Sequence, residues 1–223
     1  MVYQVNRVVA DVRRVLDQDN MVDVLIGEGD AETLLLDDIM RSKVVEAIDR
    51  VHSMAPYWLL EQGHNFADAA VYWFSGSTTG PGRVLDGCGW VLLPEDFLRL
   101  VVFEMDDWER PVYTPIGTDD PRYRRQRCRV AALRGTVQRP VCAVAVRPEG
   151  RVLEFYSCKS ETAGITKAVY VPRASVDDRD SVDISERCYD AVVYMAAALT
   201  MTACGEGDRA KGYQELAKSY LEK

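Results

Sequence analysis

The fold is decided first by the stretch Val5-Asn6-Arg7-Val8-Val9-Ala10-Asp11-Val12-Arg13-Arg14-Val15-Leu16. Its apolar residues recur every three or four positions, which is the spacing of one face of an α-helix. Residues 184–199, near the other end of the chain, are apolar and alanine-rich, and a second helical pattern follows the break at Gly205-Glu206-Gly207. Helices at opposite ends of a chain bury their apolar faces by packing together. Residues 1–75 and 180–223 are therefore predicted to form one helical bundle.

A further helix is predicted over residues 38–54, where Ile39, Val44, Ile48 and Val51 share one face. Pro56 ends this helix, because proline cannot donate the helical hydrogen bond. The helix belongs to the predicted bundle.

The middle of the chain has a different pattern. The stretches Val141-Cys142-Ala143-Val144-Ala145-Val146 and Ala168-Val169-Tyr170-Val171-Pro172 are rich in β-branched residues and have no helical period. Pro148-Glu149-Gly150 indicates a hairpin turn between two strands. The glycine-rich loop over residues 76–82 marks the boundary with the bundle. The sequence thus predicts an α+β protein, with a central antiparallel β-sandwich or barrel lobe over residues 83–175.

One segment inside the β lobe has helical character. Asp119 or Asp120 can cap a helix, Pro121 suits the first helical position, and Gly135 stops it. A short helix is therefore predicted near residues 121–134.

Composition limits the function classes. The net charge of the 223 residues is −8, which argues against a protein whose main task is to grip phosphate backbones. The acidic balance fits solubility, and it also fits a surface along which nucleic acid slides without sticking. No apolar run approaches the roughly 18–20 residues of a membrane span, and the N-terminus does not have the pattern of a signal peptide. The six cysteines permit disulfides by number alone, but reduced thiols are expected.

The sequence offers no pattern typical of a catalytic or metal site. Gly82 is followed by Arg83 and Val84, whereas a Walker loop needs Gly-Lys-Ser/Thr there. His52 and His64 have no companion ligands at zinc spacing. No Gly-x-Ser-x-Gly elbow marks a nucleophilic serine. We therefore predict no catalytic residue, no metal ion and no cofactor.

An arginine-rich segment is the one strong local charge anomaly. Its arginines are Arg122, Arg124, Arg125, Arg127, Arg129 and Arg134. Three interpretations are open: a solvated helix face neutralised by the chain's own acids, a docking face for an acidic partner, or a contact with nucleic acid. Arginine suits a docking face because its planar guanidinium binds a carboxylate through two hydrogen bonds. Our hypothesis is that these six residues lie at a protein–protein interface.

The order of the segments resembles that of a known family. Residues 86–100, with the sequence Asp-Gly-Cys-Gly-Trp-Val-Leu-Leu-Pro-Glu-Asp-Phe-Leu-Arg-Leu, follow the N-terminal helices and an aromatic-rich stretch. Then come Trp108, the helix-like Asp120-Pro121-Arg122-Tyr123-Arg124-Arg125-Gln126, the strand starting at Arg139-Pro140-Val141, and Tyr170-Val171-Pro172 before the final helix pair. As a pattern of short motifs over most of the chain, this is similar to the head-to-tail connector adaptors, or ring proteins, of short-tailed bacteriophages. That tail-tubular-A-like group includes the adaptors of crAss-like phages.

The resemblance implies a structural virion protein without catalysis. Such adaptors have a helical bundle that carries a β-sandwich or barrel lobe, and they assemble under the portal as a closed ring, typically a dodecamer. The ring would bind the portal and other tail or nozzle proteins and continue the DNA channel, with DNA passing through unbound. The expected location is the tail or connector of the virion, after synthesis in the host cytoplasm, with no membrane partner.

An alternative from another class is a glycan- or small-molecule-binding β lobe, or a cryptic hydrolase, on a helical stalk. Exposed rings at Trp73, Trp90 and Trp108 would support it, because aromatic platforms stack on sugars and bases. Buried rings at these positions would remove that support.

Overall fold

The computed structural model describes residues 1–17, 36–61, 63–74, 87–126, 128 and 133–222, and they form an α+β protein. The helices are α1 (Val5–Asp17), α2 (Leu36–Met54), α3 (Pro121–Gln126), α4 (Tyr189–Ala203) and α5 (Gly207–Leu221). The strands are β1 (Val2–Gln4), β2 (His64–Asn65), β3 (Val71–Trp73), β4 (Gly89–Leu92), β5 (Phe97–Met105), β6 (Cys142–Arg147), β7 (Gly150–Phe155), β8 (Ile165–Pro172) and β9 (Ser181–Asp183). Two compact units divide the chain: Met1–Gln62 with Arg173–Lys223, and Gly63–Pro172.

The first unit is a helical bundle made from both ends of the chain. Helix α1 buries Val5, Val8, Val12 and Leu16, which are the residues at three-and-four spacing. Helix α4 is buried nearly all round, and its alanines let α1, α2 and α5 approach it closely. A helix that is apolar on every side is stable in water only when other elements surround it. The predicted bundle of N- and C-terminal helices is therefore confirmed.

A small sheet at the start of the first unit was not predicted. Strand β1 pairs antiparallel with β9, with Tyr3 opposite Val182. Helix α1 begins directly after β1, and its first N–H, that of Val5, donates to the carbonyl of Asp180 (3.0 Å). Residues 2–4 therefore form a strand, whereas the apolar pattern predicted only the helix that follows them.

The second unit contains two antiparallel sheets that share one core. Their strand orders are β2-β8-β5 and β3-β4-β7-β6. Phe103 on β5 and Phe155 on β7 bring the sheets together, with ring centroids 6.1 Å apart. Both rings belong to one buried cluster that draws side chains from each sheet. The unit is a β-sandwich, in agreement with the predicted fold class.

The β6–β7 hairpin confirms the predicted turn. Arg147 pairs with Gly150 across a two-residue loop of Pro148 and Glu149. Gly150 has a φ of +132°, a conformation that side-chain-bearing residues rarely adopt. Glycine at this position lets the chain reverse tightly.

The unit boundaries differ from the predicted ones. Residues 63–74 were assigned to the bundle, but β2 and β3 lie in the sandwich because β2 pairs with β8 and β3 with β4. Residues 173–175 were assigned to the β lobe, yet they belong to the first unit. The predicted loop over residues 76–82 lies outside the described residues.

The predicted helix near 121–134 is shorter in the structure, because α3 ends at Gln126. The buried side-chain amide of Gln126 donates to the carbonyl of Arg122 (3.1 Å), and its oxygen accepts the N–H of Gly135 (2.7 Å). The Gln126 side chain therefore links α3 to Gly135. In a helix that continued to residue 134, Gln126 and Gly135 would lie more than two turns apart. Of the helices in the described ranges, none is long and apolar enough to cross a membrane.

Candidate assembly surface

Helix α3 carries three of the four described arginines of the arginine-rich segment, Arg122, Arg124 and Arg125. The Asp120 carboxylate accepts the backbone N–H of Arg122 (2.7 Å) and pairs with its guanidinium (2.7 Å). These hydrogen bonds hold the pKa of Asp120 below its ordinary value. Arg122 is thus neutralised within the chain, as the interpretation of a solvated helix face expects.

Arg124 and Arg125 are placed differently. Both are exposed, and among the described residues neither side chain has a hydrogen bond or an ion pair at contact distance. Arg125 contributes only a longer-range field at Asp120. These two guanidinium groups are therefore available to a partner.

The structure describes only one of the other three predicted arginines, Arg134. Arg134 is half-buried, and its Nη1 lies 3.9 Å from Sγ of Cys88. Arg127 and Arg129 lie outside the described residues. The surface that carries the functional argument is therefore the exposed pair Arg124 and Arg125, which we call the arginine pair.

A buried glutamate anchors α3 beneath the arginine pair. The hydroxyl of Tyr123, on α3, donates to Oε2 of Glu154 (2.9 Å), on β7. Tyr156 donates to the same oxygen, and the Arg147 guanidinium donates to Oε1 (2.7 and 3.0 Å). Glu154 is 1% exposed, so its charge is tolerable only because donors surround it.

The acidity of Glu154 reflects the same contacts. Burial acts to raise the pKa of Glu154, but the hydrogen bonds from Tyr156, Arg147 and Tyr123 outweigh burial, so the pKa lies below its ordinary value. Burial and the adjacent Glu154 carboxylate raise the pKa of Tyr156. The cluster is therefore a carboxylate with protonated tyrosine donors, and it fixes the position of α3.

Aromatic rings complete this face of the four-stranded sheet. The guanidinium carbon of Arg147 lies 4.7 Å from the ring centroid of Phe74 and 5.3 Å from that of Trp90. Tyr72 stacks on Trp90 at 4.3 Å. Cation–π contacts of this kind hold Arg147 in place. The sheet face that holds α3 is therefore closely packed.

The tryptophans of the sandwich are packed against neighbours. Trp108 is buried, with its ring 5.8 Å from that of Phe103. Trp73 is half-buried and meets Phe155 edge-on at 5.4 Å, and Trp90 is covered as described. The most exposed tryptophan is Trp58 of the bundle unit (71%), which the sequence did not single out.

The histidines lie apart from any metal-binding arrangement. His52 is buried within α2, and His64 is exposed, with Nδ1 3.9 Å from Asp96. Across the described ranges, no group of three or more histidine, cysteine or acidic residues is placed to hold a metal ion. All six cysteines are free thiols, and burial raises the pKa of Cys142 and Cys158. Both thiols are therefore protonated and weakly nucleophilic at neutral pH.

Comparison with known proteins adds no relative from which a function could be transferred. No protein-family model matches the chain, and no curated protein sequence matches it either. The case for a function therefore rests on the architecture and on the arginine pair.

Proposed function

We propose that this chain is a structural virion protein, a head-to-tail adaptor that forms a closed ring between the portal and the tail of a short-tailed bacteriophage. The ring continues the DNA channel and carries out no catalysis. Its partners are copies of itself, typically twelve, together with the portal and other tail or nozzle ring proteins. The protein is made in the host cytoplasm and functions in the virion.

The architecture is the observation that carries this proposal. Both ends of the chain contribute to one helical bundle, and an antiparallel sandwich occupies the sequence between them. This is the arrangement that the resemblance to the connector adaptors implies. A ring subunit of this kind needs folded lobes and contact surfaces, and the two compact units support that part of the proposal.

The arginine pair supports an assembly role. Arg124 and Arg125 project from a helix that the Glu154 cluster holds against the sheet. Because the backbone of this helix is already fixed, association has only the two arginine side chains to order, which limits the entropic cost. Carboxylates of a neighbouring subunit or ring can bind such guanidinium groups through paired hydrogen bonds.

The overall charge fits the proposed channel. The chain carries a net charge of −8, which repels the phosphate backbone as a whole. DNA can then pass through the ring without specific binding, and no cofactor takes part.

The mass of the assembled protein tests the proposal. We expect the purified chain, alone or with the portal, to form a closed ring in electron micrographs, with interfaces larger than about 1,000 Å². Labelled protein should lie between head and tail in the native particle. A monomer, or a two-fold dimer with no further neighbours in the particle, would overturn the proposal.

The alternative of a ligand-binding β lobe or cryptic hydrolase gains little support from the tryptophans. Trp108 is buried, and Trp73 and Trp90 have their rings against other side chains. The adaptor proposal is therefore the one that we develop.

A further inference from the structure

The bundle unit contains a groove between α1, α4 and α5, with a volume of about 300 Å³. The residues that line it and matter for binding are Asp11, Arg14, Tyr189, Asp190, Tyr194 and Tyr220. They supply aromatic rings, two carboxylates and one guanidinium. The groove therefore carries one net negative charge, two minus one.

One carboxylate of the groove is already engaged. The hydroxyl of Tyr189 donates to Oδ2 of Asp11 (2.6 Å), and Nη1 of Arg14 donates to Oδ1 (2.7 Å). Burial and the hydrogen bond to Asp11 raise the pKa of Tyr189. Asp11, Arg14 and Tyr189 thus form a closed set of contacts that shapes one wall of the groove.

The other carboxylate is open. Asp190 is exposed, and within the described part of the chain its side chain makes no hydrogen bond or ion pair at contact distance. Tyr194 follows Asp190 by four residues on α4, about one helical turn, and both residues line the groove. Tyr194 in turn stacks on Tyr220, with centroids 5.3 Å apart and the rings 18° from parallel.

An exposed carboxylate beside stacked tyrosine rings is a suitable binding site for a guanidinium group. The carboxylate binds the planar fork through two hydrogen bonds, and the aromatic rings cover its faces. A phosphate would be repelled by Asp190, and an uncharged side chain would gain no charge-assisted hydrogen bond from it.

We propose that this groove receives an arginine of the arginine pair from a second copy of the chain. The inference rests on the proposed ring and names the contact that closes it. Charge complementarity favours this occupant: the groove has a net negative charge with an exposed carboxylate at Asp190, and Arg124 and Arg125 place two exposed guanidinium groups side by side on one helix. A ring needs two different complementary surfaces on each subunit, and the groove and the arginine pair are such surfaces.

A charge swap tests the contact. Two variants should weaken the contact: Asp190→Arg, and the double variant Arg124→Glu with Arg125→Glu. In each, the protein concentration required for ring assembly should rise by at least about tenfold. The triple variant should regain assembly, because the charges are exchanged and attract again. Glu215→Arg and Arg110→Glu change equally exposed charges outside the groove and the arginine pair, and they should assemble as the wild type does.

Sedimentation and electron microscopy measure assembly, and circular dichroism confirms that each variant is folded. Asp190→Asn, which keeps the shape of the side chain, should weaken assembly in the same direction and guards against a folding defect in Asp190→Arg. If Asp190→Arg forms rings as readily as the wild type, or if the triple variant stays unassembled, the inference is overturned. Either result leaves the proposed function standing. Loss of assembly in Asp190→Arg without loss in the arginine variant shows that another cation fills the groove, and it overturns the chosen occupant. Absence of wild-type rings, with or without the portal, overturns the proposed function itself.

Discussion

Tyr123 donates a hydrogen bond to Glu154 across 2.9 Å, and this bond joins the arginine-bearing helix α3 to the four-stranded sheet. Glu154 also accepts hydrogen bonds from Arg147 and Tyr156. The carboxylate therefore organises three donors that come from α3, β6 and the chain just after β7.

Replacing Tyr123 with phenylalanine should weaken the attachment of α3. The variant loses one hydrogen bond to a buried charge, which corresponds to about 1.5 kcal/mol of unfolding free energy. Urea unfolding measures the change. Tyr72→Phe is the matched control, because the Tyr72 ring is half-exposed and stacks on Trp90, and phenylalanine keeps the ring. An equal loss in both variants would show that the Tyr123 hydroxyl contributes nothing specific.

Glu154→Gln should be more damaging than Tyr123→Phe. Among the described residues, Glu154 is the only carboxylate within hydrogen-bonding distance of the Arg147 guanidinium. The Arg147 side chain is only 24% exposed, so water replaces the lost carboxylate poorly. Breaking a buried ion pair from one side costs about 3 kcal/mol. Thermal unfolding should show a larger loss than for Tyr123→Phe. A smaller loss would mean that water reaches Arg147 and replaces the carboxylate.

The Glu154 carboxylate should also make the unfolding free energy depend on pH. The pKa of Glu154 is lower in the folded chain than its ordinary value of 4.5. The stabilisation is therefore present above pH 4.5 and is lost as the pH falls through the folded pKa, because the unfolded chain takes up the proton first. Unfolding free energy measured across this acidic range should fall more steeply in the wild type than in Glu154→Gln. Parallel curves would contradict the assignment.

The sequence could predict the elements whose pattern is local. The three-and-four spacing of Val8 and Val12 identified α1, and Pro56 marked the end of α2. The hairpin followed from Pro148-Glu149-Gly150, since turn residues act through their own backbone preferences.

The elements that depend on distant partners could not be predicted in this way. Strand β1 is three residues long and exists because β9, about 180 positions away, pairs with it. Helix α3 ends at Gln126, whose side chain binds Gly135 nine positions along the chain, a contact that no local pattern indicates. Local propensity decides neither outcome.

The Glu154 cluster was missed for a related reason. A glutamate in a strand is ordinarily a solvent-facing residue. One signal was present: Val152 and Tyr156 share a sheet face with Glu154, so the strand is apolar on both faces. A glutamate in such a strand indicates a buried partner, and Arg147 lies opposite Gly150 at the end of the neighbouring strand.

Tyr170 should give an alkaline counterpart to Glu154. Its hydroxyl donates to Asp96 (2.7 Å), and burial together with this bond raises the pKa of Tyr170 from 10.0 to about 12. The stabilisation is complete below pH 10 and is lost as the pH rises towards 12, because the unfolded chain ionises first. Tyrosinate absorbance followed during a pH titration, with Tyr170→Phe as the reference, measures the pKa of Tyr170 in the folded chain. A difference spectrum that titrates at the ordinary pKa would refute it.

The close packing around α4 predicts that enlarging one of its alanines is costly. Ala196 has no exposed surface, so Ala196→Leu should overpack the bundle and cost about 2 kcal/mol. Ala203→Leu, at the exposed end of the same helix, is the matched control and should change stability little. Chemical denaturation of the two variants makes the comparison. Similar effects in both would mean that the bundle has room around α4.

Salt should separate the proposed arginine contact from an apolar one. Opposite charges attract over about 10 Å at 0.1 M ionic strength but only about 3 Å at 1 M. If Arg124 or Arg125 of one copy binds Asp190 of the next, sodium chloride should dissociate the ring while each subunit stays folded. An apolar interface would respond little to the same salt, because its driving force does not depend on charge. The double variant Arg124→Glu with Arg125→Glu is the control. Any rings that it still forms should depend little on salt, because the attraction that salt screens is already absent. A wild-type ring that is insensitive to salt would leave the arginine pair as solvated surface.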